Sequence, residues 1–336
     1  MPLIRFAVYG AALPALISAC FLFGCGDAGV QNAAGGAPGW ADGVIVTDDP
    51  AAMPDDPADG DGGCTREILN AAVDSYVEAF TAGDYTLMPL AQNARYIEND
   101  NTVPKGEDRI IPFGDGLWQG PLPADYRHTN LLDVEQCAAY TEVVVATNDP
   151  QYILGVKIVV NTGEEVSVKE APRIIPGMKK AAEAGFKISE VNLVLTQKGD
   201  WGFNADNWIK FASAEDWAPL PADNRLSRPE LLRAAELFLE YFSDRSVEPL
   251  WGNPCARLEG GAYTGDREDC SIGAPNLPMK VTVFWHLIDE VNGMVVLYNY
   301  FGGSDTHTYY IPPTGYRYIH TMTAMKREDV VFHSPQ

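Results

Sequence analysis

The chain has 336 residues, 46% hydrophobic and 21% charged, with 46 acidic against 24 basic side chains and a formal net charge of -22. So acidic a balance excludes a nucleic-acid surface, which needs a basic patch to meet phosphate, and excludes docking on anionic lipid. The length accommodates about two domains, each large enough for its own core.

Arg5 is followed by an apolar run from Phe6 to Phe23, the pattern of a secretory signal. The run ends in Leu22-Phe23-Gly24-Cys25, which resembles a bacterial lipoprotein cleavage box; Ile17-Ser18-Ala19-Cys20 is a rival box. Cys25 is preferred because the chain turns polar just after it and because an even set of cysteines is left. Residues 1–25 are therefore read as a lipoprotein signal peptide with Cys25 as the lipidated residue. The expected address is secreted and lipid-anchored at the cell envelope, periplasmic or outer-membrane, with membrane contact through the N-terminal lipid only. Several acyl chains anchor stably where one does not. Residues 26–63 are rich in Gly, Ala, Pro and Asp and nearly free of aromatics, the composition of a flexible tether. The acidic run there fails as a calcium loop, since counting from Asp55 puts Pro57 third and Arg66 twelfth.

Cys64, Cys137, Cys255 and Cys270 then sit in an oxidising compartment, and four cysteines allow three pairings. With one pair in each proposed domain, Cys64–Cys137 and Cys255–Cys270 are expected. No CxxC and no His-rich tract is present, so no metal site is expected.

Leu69, Val73, Tyr76, Val77 and Phe80 recur at helical spacing, and Gly83-Asp84 ends that helix. Residues 94–98 read as a strand, 99–127 as irregular, and 136–147 and 152–160 as long strands, the second leading into an Asn161-Thr162-Gly163 turn. Residues 168–184 read as an insertion ending in a short helix, and 187–197 as another strand. Residues 204–224, with Trp208 and Trp217, join two domains spanning 64–220 and 221–336. The second opens on a capping box, Ser227-x-x-Glu230, before a helix ending near Ser243. Strands follow at 280–288 and 294–301, joined around Asn292-Gly293, and at 316–325.

The two halves also resemble one another. Residues 65–99 align with 228–260, placing Glu98 over Glu259 and Tyr96 over Arg257. A helix followed by a run of strands, twice, is an α+β pattern.

The order of helix, turn, ARYIEND, GDGLW, YRHTN and KISEVNLVL resembles the nuclear transport factor 2-like superfamily, with its SnoaL-like and ketosteroid isomerase-like relatives. That resemblance implies two tandem cone-shaped α+β barrels, each a curved, mostly antiparallel sheet wrapped around a long N-terminal helix, with an apolar pocket. It implies an intramolecular pseudo-dimer and leaves further homodimerisation open. Members include cofactor-free isomerases, dehydratases, cyclases and lyases, and also pure binding modules, so fold alone does not settle function.

Two residue sets could carry chemistry. Tyr96 and Glu98 share one strand face. With His128 and Arg127 they form the expected catalytic group of the first barrel, with Asn99 and Trp118 beside the substrate. Glu98 or His128 would act as base, and Arg127 would hold an enolate or phenolate oxygen. Arg257, Glu259, Trp285, His286 and Tyr300 form a second, supporting set for substrate binding; Trp285 and His286 are adjacent, so only one can face a pocket. The expected activity is a cofactor-independent lyase or isomerase, acting by proton abstraction, elimination or retro-aldol cleavage on a small apolar or aromatic molecule. The alternative is a lipid-anchored binding or assembly module without chemistry.

Overall fold

The structure is a computed structural model and describes residues 63–99, 110–163 and 176–325. The signal segment, Cys25 and most of the tether lie outside the described residues. Among the described residues no helix is long and apolar enough to cross a membrane.

The first half runs α1 (Arg66–Ala82), β1 (Leu90–Glu98), β2 (Tyr126–Arg127), β3 (Leu131–Asp133), β4 (Ala138–Val145), β5 (Tyr152–Thr162), α2 (Pro176–Ala184) and β6 (Phe186–Gln197). After α3 (Ala205–Ala212) the second half runs α4 (Arg228–Glu240), β7 (Trp251–Glu259), β8 (Ala262–Tyr263), β9 (Val283–Asp289), β10 (Met294–Tyr300), β11 (Ser304–Tyr310) and β12 (Tyr316–Ala324). Thr65 caps α1 by accepting from the Ile68 amide at 3.3 Å. Gly83 ends it in the left-handed region at φ 66°, where a side chain would be strained. In α4 the Glu230 carboxylate accepts from the Ser227 amide at 2.8 Å, closing the box that the sequence announces.

The chain is α+β, with two six-stranded mixed sheets in the orders β1-β6-β5-β4-β2, with β3 also on β4, and β8-β7-β12-β11-β10-β9. Each sheet holds one parallel pair, β1 with β6 and β7 with β12. The two ladders agree residue for residue. In β1, Leu90 pairs with Ile188, and after a bulge Arg95 to Glu98 pair with Glu190 to Leu193. In β7, Trp251 pairs with Tyr316, and after a bulge Ala256 to Glu259 pair with Tyr318 to Thr321. The alignment of Glu98 with Glu259 is thus the register of the sheets themselves.

The contacts between halves are reciprocal. Arg66 at the start of α1 donates to both carboxylate oxygens of Asp289, at 2.7 and 3.0 Å, and Asp289 also accepts from Leu132 N at 3.0 Å. Arg228 at the start of α4 donates to Asp133 at 2.6 Å, and Asp133 also accepts from Ile288 N at 2.9 Å. Asn292 caps Asp289 from its own turn as Gln136 caps Asp133. Residue i meeting j while j meets i is the pattern of a two-fold interface.

Alternation along the strands separates three cores. One face of the first sheet packs on α1 through Val143, Leu154, Val156, Leu193 and Leu195. One face of the second packs on α4 through Leu297, Tyr309, Ile319, Phe238 and Phe242. The opposite faces meet each other through Tyr140, Val144 and Val194 on one side and Val296, Tyr318 and Met322 on the other, sealed by Trp208 of α3 and by Trp217. Each such fully buried side chain stabilises by about 1.5–3 kcal/mol. The expected disulfides, Cys64–Cys137 and Cys255–Cys270, are both present.

Candidate functional site

The first expected group divides. Tyr96 and Trp118 are buried in the α1 core. Tyr96 stacks on Phe113 at 4.9 Å, and Trp118 meets Tyr76, Phe80, Tyr85 and Tyr96 edge-on. Glu98 accepts from the Tyr96 hydroxyl and from Leu117 N, the latter at 2.7 Å. Gly116 of the GDGLW motif is what lets the loop approach, because a Cβ there would run into Glu98 and the Tyr96 ring. Burial, then Glu98 and Tyr76, push the Tyr96 hydroxyl far above its ordinary range, so it stays a neutral donor. Asn99, at the end of β1, bonds the Leu195 backbone on both sides, at 2.6 and 2.7 Å, and serves the sheet.

Arg127 and His128 do not join this group, which corrects the expectation. Tyr126 and Arg127 pair with Val144 and Val143 across the ladder, so they point to opposite faces. Arg127 is exposed and pairs with Asp74 of α1 at 2.8 Å. His128 is buried on the other face, against the second sheet, with its ring 4.6 Å from Trp217 and 5.0 Å from His320. Glu98 and His128 therefore lie on opposite sides of one sheet.

A cavity of about 110 Å³, open at one side, lies instead in the second half, lined by Trp201, Phe242, Arg257, Glu259, Phe301, Asp305, His307, Thr321, Thr323 and Met325, with Gly273 and Pro275 just after Cys270. It is somewhat smaller than the roughly 150 Å³ that holds a benzene ring. Arg257 pairs with Glu259 and donates to the carbonyls of Cys270 at 3.2 Å and Ile272 at 2.7 Å. The Cys255–Cys270 bridge thus ties the guanidinium to the wall. Burial, partly offset by Tyr309, pushes Arg257 down to about 10, so it keeps its charge at neutral pH. His307 Nδ1 lies 2.9 Å from Asp305 Oδ2, out of line for a hydrogen bond, while Asp305 Oδ1 accepts from Thr323 at 2.6 Å.

Of the second expected set, Arg257 and Glu259 line this cavity and the others do not. Trp285 stacks on Tyr298 at 5.1 Å with Lys157 above it, on the face toward the first sheet. His286 lies opposite Leu297 on the outermost strand, and Tyr300 opposite Ser304. Asp305, His307, Thr321 and Thr323 were not singled out from the sequence.

Counting both ladders from the paired glutamates puts Asp305 over Leu154, His307 over Val156, Thr321 over Leu193, Thr323 over Leu195 and Asn299 over Val143. The first-half residues are ordinary core. Among their second-half counterparts, Asn299 Nδ2 and Oδ1, Asp305 Oδ2, His307 Nδ1 and Thr321 Oγ1 are buried without a hydrogen-bond partner, as are Arg257 Nε and Tyr309 Oη beside them, and Asp305 Oδ2 and His307 Nδ1 have only their 2.9 Å contact with each other. A buried polar group left unpaired costs roughly 1–3 kcal/mol.

Between the sheets lies a second polar cluster that the sequence reading also missed. His320 is fully buried, with Nδ1 2.7 Å from Glu142 and Nε2 2.7 Å from Glu215. Burial opposes its charge, but the two carboxylates prevail and push His320 up to about 10. His128 goes the other way, down to about 4, chiefly by burial and with His320 adding to it. The lone Glu142 in the apolar strand AAYTEVVV was the available signal, since an unpaired charge there demands a partner.

A family model described as "Domain of unknown function (DUF8021)" matches residues 224–323, a stretch that carries all of the cavity's lining except Trp201 and Met325. No curated protein and no solved structure matches the chain.

Proposed function

We propose that the chain is a cofactor-independent isomerase or lyase working by proton abstraction, with its reaction centre in the second-half cavity rather than beside Glu98. The substrate class is a small apolar or aromatic molecule bearing a carbonyl. His307 takes a proton from the carbon next to that carbonyl, the C–H electron pair moves into the enolate, and Arg257 Nε faces the developing oxyanion. Asp305, with Oδ2 2.9 Å from Nδ1, offsets the positive charge the ring gains. Return of the proton to another carbon completes an isomerisation, and departure of a β-substituent completes an elimination. The observation that supports this reading is that Asp305, His307 and Thr321 line a partly apolar cavity with buried polar atoms that make no hydrogen bond, at positions that are plain core in the sister sheet.

The frame we propose for it is a tandem pair of nuclear transport factor 2-like cones, α1 and α4 each held by its own sheet, joined as an intramolecular pseudo-dimer and carried on a lipid-anchored tether. The matched ladders and the crossed Arg–Asp pairs support it.

Acetone in D2O is a suitable probe, because it is small enough for the cavity and loss of its methyl proton signal reports proton abstraction directly. The wild type is expected to accelerate exchange, and His307→Asn to slow it by about 10²–10⁴-fold. Equal exchange in both proteins removes His307 from the chemistry. Saturable binding without any exchange turns the reading to the non-catalytic ligand-binding module. That second reading is favoured by one observation: the terminal nitrogens of Arg257 are already engaged by Glu259 and by backbone carbonyls.

A further inference from the structure

We infer that His128, Glu142 and His320 form a binding site for a divalent first-row transition ion of the zinc class, cross-linking the two sheets. One ligand atom from each lies within 4.8 Å of the others, and all three residues are buried. An ion with bonds of about 2.0–2.2 Å asks for donors roughly 3 Å apart, and Glu142 and His320 Nδ1 already stand at 2.7 Å.

The residues around the triad are arranged as outer partners. His128 Nδ1 is held by the Tyr126 hydroxyl at 3.1 Å, which leaves Nε2 for the centre, and Nε2 has no protein partner although buried. His320 Nε2 is held by Glu215 at 2.7 Å, which leaves Nδ1 on the side of Glu142. A carboxylate behind a ligating imidazole is the usual second layer of such centres, fixing tautomer and ring direction. Glu142 Oε1 and Glu215 Oε1 are also buried without partners, so the cluster has more acceptors than the protein alone satisfies. Two imidazoles and one carboxylate suit zinc or its neighbours and do not suit calcium or magnesium, which prefer all-oxygen shells.

The placement assigns the ion a clamping role. Glu142 comes from β4, His128 from the segment after β2, His320 from β12, and Glu215 from the connection after α3. Trp208 and Trp217 pack on the His320 ring at 5.1 and 4.8 Å and shield the centre from water. The site lies on the opposite face of the second sheet from the cavity and does not depend on any reaction there.

The test is a calorimetric titration of metal-stripped protein with Zn²⁺ alone. About one equivalent is expected to bind, with Tm rising by about 5 °C or more once free Zn²⁺ exceeds Kd a hundredfold. His128→Asn and Glu142→Gln are expected to abolish the site. Glu215→Gln is expected to weaken it by about 10–100-fold, and His286→Asn, on the far edge of the second sheet, to leave it unchanged. Absence of saturable binding to the wild type overturns the inference, as does binding unaltered by both ligand variants. Should those variants fail to fold, Co²⁺ bound to the wild type decides the matter. Ligand-field bands of a four- or five-coordinate nitrogen and oxygen site support the centre, and a hexa-aquo spectrum overturns it.

Discussion

The triple replacement Asp305→Leu, His307→Val and Thr323→Leu is expected to raise stability by about 1–4 kcal/mol while abolishing binding in the second-half cavity. The three new residues are those the first half carries at the matching ladder positions, Leu154, Val156 and Leu195, all buried in its α1 core. Their volume and strand preference are already compatible with this register, so the substitution removes unpaired polar atoms without opening a void. Thr323 is included because its hydroxyl would otherwise lose its acceptor, Asp305 Oδ1. Urea unfolding should show a higher midpoint at unchanged slope. A stability gain with loss of function is the signature of groups kept for a ligand rather than for the fold. A comparable loss of stability would mean that Asp305 and His307 hold the second sheet together, and the cavity would lose its claim to a role.

The second large effect is structural. Asp289→Ala is expected to cost about 3–5 kcal/mol, because it strands the partly buried Arg66 guanidinium and removes the acceptor of the Leu132 and Asn292 amides. The Asp289 side chain is wholly buried and that of Arg66 is 16% exposed, the same values as for Asp133 and Arg228. Asp133→Ala should therefore cost nearly as much. In a cycle with Arg66→Ala, the double variant should be far less destabilised than the sum of the singles, since the second change removes the stranded charge. Measured by denaturant unfolding, a cost below about 1 kcal/mol would reduce these crossed pairs to ordinary surface bridges, and the two-fold reading of the interface would lose its energetic basis.

The sequence announced the frame where local rules and burial agree. α1 is written by its apolar spacing and Gly83, α4 by Ser227 and Glu230, and the hairpin between β9 and β10 by Asn292-Gly293. The disulfides followed from one pair per half. The recurrence of Glu98 as Glu259 proved to be a true ladder register. β11 escaped notice for the reason that makes it interesting: in SDTHTYY the positions that should be apolar toward α4 are Asp305 and His307, so the period of two is masked. α3 lies in the connection 204–224 that joins the halves, and only the packed sheets give Trp208 and Trp217 their place. The grouping of Glu98 with His128 failed on phase. Tyr126, Arg127 and His128 alternate across β2 and its continuation, and no local signal says which of them faces α1. His320 and Glu142 are 178 positions apart, and their meeting is a property of how the sheets pack.

The most direct test of a functional cavity in the second half is a backbone-amide NMR titration with acetone, a carbonyl compound small enough to enter it. Saturable shifts are expected at Phe301, Asp305, His307, Thr321 and Thr323, with the amides of Tyr96, Glu98 and Trp118 unmoved. Saturable shifts confined to Tyr96, Glu98 and Trp118, or no saturable shift anywhere, would contradict it.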